Sequence, residues 1–487
     1  MFHIGLDIGT SKISAVSLDA ATGRIKGTLS LPNDSGSSRR GKRKEILSEQ
    51  DPDRIRKIAF LVLRKLVSSG RFGKKNIRGL GITGQMHGML LADGKLNPRT
   101  KLITWQDKRC EGLFPGKKHD YITELIERSG GQEVFCNTGT LPAAGYMLST
   151  LFWLKENGYL PGSGCRAALI HDWIAGLLSG SGGRIFTDPT GAGSSGVFNI
   201  AGKRWESAVL GKLGLNKDIF PEVLESGEII GETGLALEKE TGLPAGIPVC
   251  CGIGDNQASI LGSAENYEET LFINIGTGSQ VSVVTDRFAR MDGIEARYFP
   301  HNRYALVGAG LSGGHAYALL DGFFRTAGTG LWNTGGKGSL FDRMNKLALK
   351  APAGSEGLAC EAAFTGTRLD PGRRGSLTGI TPSNLTAPNL IRAVLEGVVL
   401  ELHGFYASMC KNGFSGHKVI ICAGNAARKN PALRRIIAEK FRLPVKPASR
   451  SEEAACGAAL IAAGVAAAKS PRRFTENEGR DKRITAF

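Results

Sequence analysis

The first residues that could do chemistry lie in the segment DIGTS, residues 7–11, which follows a short apolar run. Glycine lets a backbone approach an anion closely, so the N–H groups of this turn and the hydroxyls of Thr10 and Ser11 could bind a phosphate. Asp7 could hold a phosphate-bound Mg²⁺ through a water, because Mg²⁺ prefers few carboxylates and several waters. An ordinary β-turn is the alternative interpretation.

A second turn of the same kind, NIGTG, occupies residues 274–278. Aligning Asp7 with Asn274 gives an offset of 267 residues, and each copy opens one half of the chain. Self-similarity on this scale indicates a duplicated domain. Two facing halves would place both turns across a cleft, with Gly276 and Thr277 in the second. The pair favours phosphate binding, although the sequence contains no GxxxxGK[ST] P-loop.

Asp255 lies in the segment CCGIGDNQAS, residues 250–259, where a strand-like run gives way to a helical one. This pattern predicts that Asp255 stands at or near a helix N-terminus, at the hinge between the two halves. Its carboxylate could serve there as a general base. The alternative is a helix N-cap, a very common use of aspartate.

Two further segments, TGQMHG at 83–88 and TWQDKR at 104–109, are dense in hydrogen-bonding and aromatic side chains. Such a set suits a polyhydroxylated ligand, since amides and carboxylates can pair its hydroxyls and a tryptophan face can cover its C–H groups. The alternative is an ordinary loop with a half-buried tryptophan. The residues concerned are Gln85, His87, Trp105, Gln106, Asp107 and Arg109.

Residues 422–433, CAGNAARKNPAL, read as a strand that enters a Gly424-Asn425 turn and then a helix. Small residues at such a turn would admit a flat ring. A plain strand-to-helix turn is the alternative.

The elements that must position these residues follow from periodicity and turn residues. We expect strands at 2–8, 13–18, 25–31, 77–83 and 417–425, and a strand–turn–strand unit at 269–286. We expect helices from Pro52, with Asp51 as N-cap, and at 147–157, 166–178, 311–328, 387–411, 431–441 and 454–468. Residues 33–45, with five basic side chains between 39 and 44, are interpreted as a mobile, solvated loop.

Composition supports a folded chain of two or three domains, since 41% of the 487 residues are hydrophobic and 22% are charged. The nine cysteines are odd in number and none has CxxC spacing, so neither a disulfide framework nor a zinc site is indicated. A reduced, cytoplasmic protein fits best, since the start lacks signal-peptide character and no apolar stretch reaches the length of a membrane span. The net charge of +17 is attributed to a solvated basic surface rather than to nucleic-acid binding.

Taken together and in order, these motifs resemble the FGGY family of carbohydrate kinases over roughly residues 2–468. The resemblance implies an α/β fold of two duplicated actin-like, or ribonuclease-H-like, domains with an interdomain cleft. It divides the chain into a mainly sugar-binding domain at 1–252, a mainly ATP-binding domain at 253–470 and a polar basic tail at 471–487. ATP, Mg²⁺ and a small sugar are the implied ligands, with no membrane or nucleic-acid partner.

The resemblance also implies residue roles. Asp255 is similar to the catalytic base of the family, and Asp7 to its Mg²⁺-associated carboxylate. The phosphate turns are matched by Thr10, Ser11, Gly276 and Thr277. Sugar-site positions are matched by Gln85, Met86, His87, Trp105, Asp107 and Asn256. The adenosine motif is matched by Gly424 and Asn425, with Gly310 as a further candidate.

Two departures from the family pattern stand beside these matches. The family often has a basic residue three or four places after the first threonine, where this chain has Ile13 and Ser14. Ala423 also replaces a usual glycine in the adenosine motif.

Within the family, the chain is most similar to sedoheptulokinases at two motifs, W-Q-D at 105–107 and R-K-N-P at 428–431. Xylulokinases, which typically show W-N-D, are the nearest alternative. The implied reaction is ATP-dependent phosphorylation of a primary hydroxyl of a ketose, with sedoheptulose 7-phosphate as the expected product. An actin- or Hsp70-like ATPase and an inactive sugar-binding regulator are the alternatives of other classes.

Overall fold

The computed structural model describes residues 1–41, 45–162, 164–264, 266–332, 339–367, 370, 372–448 and 450–464. The predicted tail at 471–487 and the basic residues 42–44 lie outside these described residues.

The first part of the chain is rich in short strands. Its strands are β1 (Phe2–Ile8), β2 (Lys12–Asp19), β3 (Ile25–Pro32), β4 (Gly36–Arg40), β5 (Ile46–Gln50), β6 (Ile77–Gly84), β7 (Leu90–Ala92), β8 (Leu102–Ile103), β9 (Arg166–Ala168), β10 (Phe186–Thr187), β11 (Phe198–Asn199), β12 (Arg204–Trp205), β13 (Glu222–Val223), β14 (Ile229–Glu232), β15 (Pro248–Cys250) and β16 (Ile253–Gly254). Its helices are α1 (Pro52–Ser68), α2 (Tyr121–Ser129), α3 (Met147–Glu156), α4 (Ile170–Ser179), α5 (Pro189–Gly193), α6 (Ser207–Lys212), α7 (Leu235–Thr241) and α8 (Asp255–Ser263).

The second part has fewer strands and longer helices. Its strands are β17 (Thr270–Ile275), β18 (Ser279–Thr285), β19 (Ile294–Phe299), β20 (Arg303–Gly310), β21 (Ala359–Glu361), β22 (Ser376–Thr378), β23 (Val419–Ala423) and β24 (Val445–Pro447). Its helices are α9 (Gly314–Trp332), α10 (Phe341–Lys350), α11 (Ala387–Lys411), α12 (Asn425–Lys429), α13 (Pro431–Phe441) and α14 (Glu453–Ala462).

Two large sheets share a common pattern of three adjacent strands. The first has the order β14-β15-β6-β1-β2-β3, with β16 also paired to β6, and the second has the order β19-β20-β18-β17-β23-β24. In each sheet a Gly-Thr turn joins two antiparallel strands, β1 to β2 and β17 to β18. In each, the first of those strands also pairs in parallel with a later one, β6 or β23. The duplicated, two-domain α/β architecture is therefore confirmed.

Local signals explain the elements that the sequence predicted well. The Asp51 side chain accepts hydrogen bonds from the N–H groups of residues 53 and 54, and Pro52 occupies the first turn of α1. The Thr386 side chain caps α11, and the Asn430 side chain caps α13. Side-chain caps satisfy N–H groups that have no partner inside a helix, so the sequence marks these starts clearly.

Two predicted elements are corrected. Residues 166–178 are not one helix, because β9 pairs antiparallel with β7 and α4 begins only at Ile170. Within the predicted loop at 33–45, residues 36–40 form the exposed strand β4, which pairs with β5. Strand pairing decided both cases, with a distant segment for β9 and with the adjacent strand for β4, and composition alone does not encode it.

The helices α8 and α14 cross where the two halves meet. A Cβ at Gly262 would overlap the backbone of Glu453, and a Cβ at Gly457 would overlap that of Ala258. The same helix α14 lies on the first sheet, where Gly5 leaves room for the Ala455 carbonyl. Backbone thus touches backbone at this crossing, which only glycine permits.

The core is formed on both faces of the two sheets. One apolar cluster joins β1 and β6 to α1 and α4, and another joins the strands of the second sheet to α11 and α13. No helix within the described part of the chain is long and apolar enough to cross a membrane. All nine cysteines are free thiols.

Candidate active site

The turn between β1 and β2 is tied to the predicted sugar-site residues. The Thr10 hydroxyl donates a hydrogen bond to Gln85 Oε1 at 3.2 Å and accepts one from the Trp105 indole N–H at 3.2 Å. The Gln85 N–H also bonds to the Ile8 carbonyl at 3.1 Å. The structure therefore brings together Thr10, Gln85 and Trp105, which are far apart in sequence.

Asp255 is the first residue of α8, directly after Gly254. It stands at the predicted helix start, but Gly254 occupies the N-cap position, so the N-cap interpretation of Asp255 is wrong. The Gly254 N–H is fixed by a 2.7 Å bond to the Thr190 hydroxyl. Burial raises the pKa of Asp255 to about 6, against the opposing effect of the Arg297 charge. A carboxylate with this pKa can be ionised near neutral pH and still accept a proton.

His87 has a fixed and unusual conformation. Its φ is 71°, in the left-handed region that a non-glycine residue rarely adopts. Its ring stacks on Tyr146 at 4.2 Å between centroids. Its Nδ1 lies 2.9 Å from the Ser194 carbonyl, which can only accept, so Nδ1 carries the proton. The strained backbone and the stacked ring fix where the imidazole lies.

Met86 and Trp105 differ in exposure. Met86 is buried, and it packs so closely on Gly254 that a Cβ there would lie 2.6 Å from its sulfur. Trp105 is 45% exposed, although its indole N–H is bonded to Thr10. Part of its ring is therefore available to a ligand.

Asp107 has a structural role in this fold. It is fully buried and accepts hydrogen bonds from the Ser48 N–H at 2.8 Å and the Arg109 N–H at 2.9 Å. It is also ion-paired with the Arg109 guanidinium at 2.7 Å. Its neighbour Gln106 instead lines a cleft of about 320 Å³ together with Thr10.

Asn256 follows Asp255 on α8. Its amide donates to Gln280 Oε1 at 3.1 Å, while its Oδ1 is buried and has no hydrogen-bond partner among the described residues. An unpaired buried acceptor costs free energy, and a ligand hydroxyl would relieve that cost.

The turn between β17 and β18 is open. Gly276 and Thr277 are exposed, and a Cβ at Gly276 would meet no atom within 4 Å. The Gly276 carbonyl accepts the Gly314 N–H at 2.8 Å, which holds the turn against the start of α9. An anion could approach the backbone here closely.

The predicted adenosine residues occupy two places. Gly424 has a φ of 85°, and a Cβ there would lie 2.5 Å from Asn274 Oδ1, so this position requires glycine. Asn425 opens the short helix α12. Gly310 is restricted by packing, since a Cβ there would overlap the Glu401 carboxylate.

Two protein-family models match this chain, and together they cover nearly all of it. The model of the N-terminal domain of the FGGY family of carbohydrate kinases matches residues 2–262, and the model of its C-terminal domain matches residues 271–466. The chain belongs to the FGGY family of carbohydrate kinases.

Individual relatives of this FGGY kinase span nearly its whole length. A xylulose kinase of Haemophilus influenzae is 25% identical, covering 94% of this chain and 90% of its own. A sedoheptulokinase of Mus musculus is 26% identical, covering 94% and 96%. The crystal structure of a ligand-bound xylulose kinase from Lactobacillus acidophilus has a TM-score of 0.80 at 22% identity, covering 95% and 89%.

Membership confirms the predicted class. The protein is an ATP-dependent carbohydrate kinase, a phosphotransferase that acts on a sugar hydroxyl. The actin-like fold that the resemblance implied is confirmed as well.

Asp7 fits a role beside a cation. Its Oδ1 is buried and has no hydrogen-bond partner among the described residues. Burial raises the pKa of Asp7 well above its ordinary value, and the charges of Asp255 and Glu452 raise it further. A divalent cation would relieve this concentration of negative charge, and oxygen donors are the ligands that Mg²⁺ prefers.

Sequence reasoning missed several residues of this site. Tyr146 stacks on His87, and the Arg297 charge acts on Asp255. Gln50 is hydrogen-bonded to both Gln85 and Thr10. None lies in a recognisable motif, and each reaches the site through a contact distant in sequence.

Proposed function

We propose that this kinase phosphorylates the terminal primary hydroxyl of a ketose, with sedoheptulose as the preferred substrate and the 7-phosphate as product. The W-Q-D reading at 105–107 and the R-K-N-P reading at 428–431 support this preference. Xylulose is the second candidate, because xylulose kinases and sedoheptulokinases match the chain about equally, at 24–27% and 26% identity.

The observation that carries the mechanism is the half-buried Asp255 carboxylate at the start of α8. It takes the proton of the sugar hydroxyl as that oxygen forms a bond to the γ-phosphorus and the bond between the γ-phosphorus and the β,γ-bridging oxygen breaks, which releases ADP. General-base catalysis is most effective when the pKa lies near the working pH, and burial raises the pKa of Asp255 to about 6.

The other site residues hold the reactants in line, which is most of what phosphoryl transfer requires. Asp7 would hold Mg²⁺ through a water, and the cation would neutralise charge on the phosphates. The two turns contribute Thr10, Ser11, Gly276 and Thr277 to the phosphates. The sugar would contact Gln85, Met86, His87, Trp105 and Asn256. Asp107 would support them by holding the loop that carries Trp105 through its bonds to the Ser48 and Arg109 N–H groups. Adenosine would lie beside Gly310, Gly424 and Asn425.

The proposed division of labour follows the two sheets. Sugar would bind mainly to a domain at 1–252 and ATP mainly to a domain at 253–470, and the protein would act in the cytoplasm. The first Gly-Thr turn is bonded to the sugar-site residues, while the second is open to an anion, which supports this division.

A coupled assay of ADP release tests the substrate. The purified protein is mixed with Mg²⁺ and ATP and given sedoheptulose, xylulose, ribulose or glycerol in turn. The Asp255→Asn variant, prepared in parallel, measures any contaminating kinase. We expect the highest kcat/KM with sedoheptulose. A higher value with xylulose would replace the substrate, and ATP turnover that no sugar stimulates would contradict the proposed reaction.

A further inference from the structure

Gln50 joins the predicted sugar residue Gln85 to the first Gly-Thr turn through a closed ring of hydrogen bonds. The Gln50 amide N–H donates to the Thr10 carbonyl at 2.9 Å, and its Oε1 accepts from Gln85 Nε2 at 2.7 Å. The Thr10 hydroxyl closes the ring by donating to Gln85 Oε1 at 3.2 Å. A bond from the Trp105 indole N–H to the same hydroxyl, at 3.2 Å, attaches a second sugar-site residue.

The direction of every bond in this ring follows from one atom. The Thr10 carbonyl can only accept, so the Gln50 amide must turn its nitrogen toward it and its oxygen toward Gln85. Gln85 must then donate through Nε2 and present its oxygen to the Thr10 hydroxyl. That hydroxyl must donate to Gln85, and its lone pair remains to accept from Trp105. The first Gly-Thr turn thus sets the orientation of the Gln50 and Gln85 side chains.

Burial makes the ring rigid. Gln50 is 4% exposed and Gln85 is 2% exposed, so water cannot readily replace a broken bond. An unsatisfied buried amide is costly, and bonds that polarise one another in a closed network are lost together.

Gln50 reaches the ring from a separate layer of the fold. It is the last residue of β5, and it pairs in register with Leu102 of β8, shortly before Trp105. Its neighbours Glu49 and Ser48 hold the Arg109 and Asp107 side of the same loop. One short sheet therefore supports both the ring and the loop that carries Trp105.

We propose that Gln50 is a positioning residue of the kinase, which fixes the distance and orientation between the bound sugar and the first phosphate turn. It acts through Gln85 and Thr10, and the inference rests on the roles proposed above for those two residues. Misplacement of reacting groups by about 1 Å can cost about a hundredfold in rate, so the ring bears directly on turnover.

Two substitutions separate the two bonds of Gln50. Gln50→Met keeps the side-chain volume and removes both bonds. Gln50→Glu keeps an acceptor for Gln85 but removes the donor to the Thr10 carbonyl. Tyr121→Phe is the matched control, because it deletes a partly buried side-chain bond of the same half, the one between Tyr121 and Asn157. Steady-state kinetics with the best sugar of the screen and MgATP, and thermal unfolding, are measured on all four proteins.

We expect kcat/KM for the sugar to fall about a hundredfold in Gln50→Met. In Gln50→Glu, kcat should fall while the sugar KM stays within about threefold of wild type, because Gln85 remains anchored. Tyr121→Phe should lower the unfolding temperature comparably and leave both constants unchanged.

The inference is wrong if Gln50→Met turns over within about threefold of wild type, or if Tyr121→Phe loses as much activity at equal stability loss. Should Gln50→Met not fold, Gln50→Glu decides alone, and wild-type kcat there would overturn the inference. A wild-type protein that phosphorylates no sugar contradicts the proposed function instead, and that result is seen before any Gln50 variant is compared.

Discussion

The two Gly-Thr turns share the sequence Ile-Gly-Thr but differ in how closely the rest of the protein packs against them. At the first, a Cβ on Gly9 would lie 2.8 Å from the Lys12 carbonyl, and the Thr10 hydroxyl both donates and accepts within the protein. At the second, a Cβ on Gly276 would meet no atom within 4 Å, and Thr277 is exposed. One turn is built into its domain, whereas the other is open.

This difference shows how a duplicated motif can divide its work. In the first turn the Thr10 hydroxyl is already hydrogen-bonded to Gln85 and Trp105. Chiefly backbone N–H groups therefore remain to bind a phosphate. In the second turn both the backbone and the Thr277 hydroxyl can meet an anion. These surroundings support the proposal that the first copy serves the sugar side and the second copy binds the nucleotide.

The largest effect on kcat is expected from a substitution of Asp255, which lies between the two turns in the sequence. Asp255→Asn preserves size and removes the base, and general-base catalysis is worth about 10²–10⁴-fold, so kcat should fall by that factor. Binding of sugar and of ATP should change much less, because most of their contacts lie elsewhere. Turnover within about threefold of wild type would leave Asp255 without the catalytic role and make the turns alone responsible for the rate.

Matched threonine substitutions test the comparison directly. Thr277→Val should raise the KM for ATP about tenfold to a hundredfold, since a bond to a charged group is worth about 1.5–3 kcal/mol, and should leave thermal unfolding unchanged. Thr10→Val should instead lower the unfolding temperature, because Gln85 and Trp105 lose their partner. Equal destabilisation by both variants, with an unchanged KM for ATP, would contradict the distinction between the turns.

The smallest effect expected is a dependence of kcat/KM on pH, which comes from Asp255 and from neither turn. Burial raises the pKa of Asp255 to about 6, so its basic form is lost as the pH falls through that value. We expect kcat/KM to be level above pH 7 and about tenfold lower at pH 5, as for a single ionisation. The residual activity of Asp255→Asn should lack this step. A profile that is flat down to pH 5 in the wild type would be inconsistent with Asp255 as the base.

The sequence predicted most of the frame. Strong periodicity and side-chain caps place α11 and α13 at the predicted residues, 387–411 and 431–441. The 267-residue offset anticipated two sheets that each contain a strand–turn–strand unit with a Gly-Thr turn. What failed was set by distant partners, as in β9, which a local pattern had assigned to a helix.

The site was predicted by residue type more than by geometry. Asp255 was placed correctly at a helix start, and Thr10, Gln85 and Trp105 do meet. The burial of Asp107 and the ring through Gln50 depend on the sheet of β4, β5 and β8. That sheet pairs β5 with β8, which are some fifty residues apart. The local sequence pattern therefore did not predict it.

The crossing of α8 and α14 has a consequence for biosynthesis. The helix that carries Asp255 lies against α14, which also covers Val16 and Leu18 of the first sheet. Yet α14 begins 190 residues after α8 ends. At about 5–20 residues per second, a ribosome needs roughly 10–40 s to make that stretch. For this interval the nascent first sheet lacks the cover of α14, and that apolar face is available to chaperones until α14 has been synthesised.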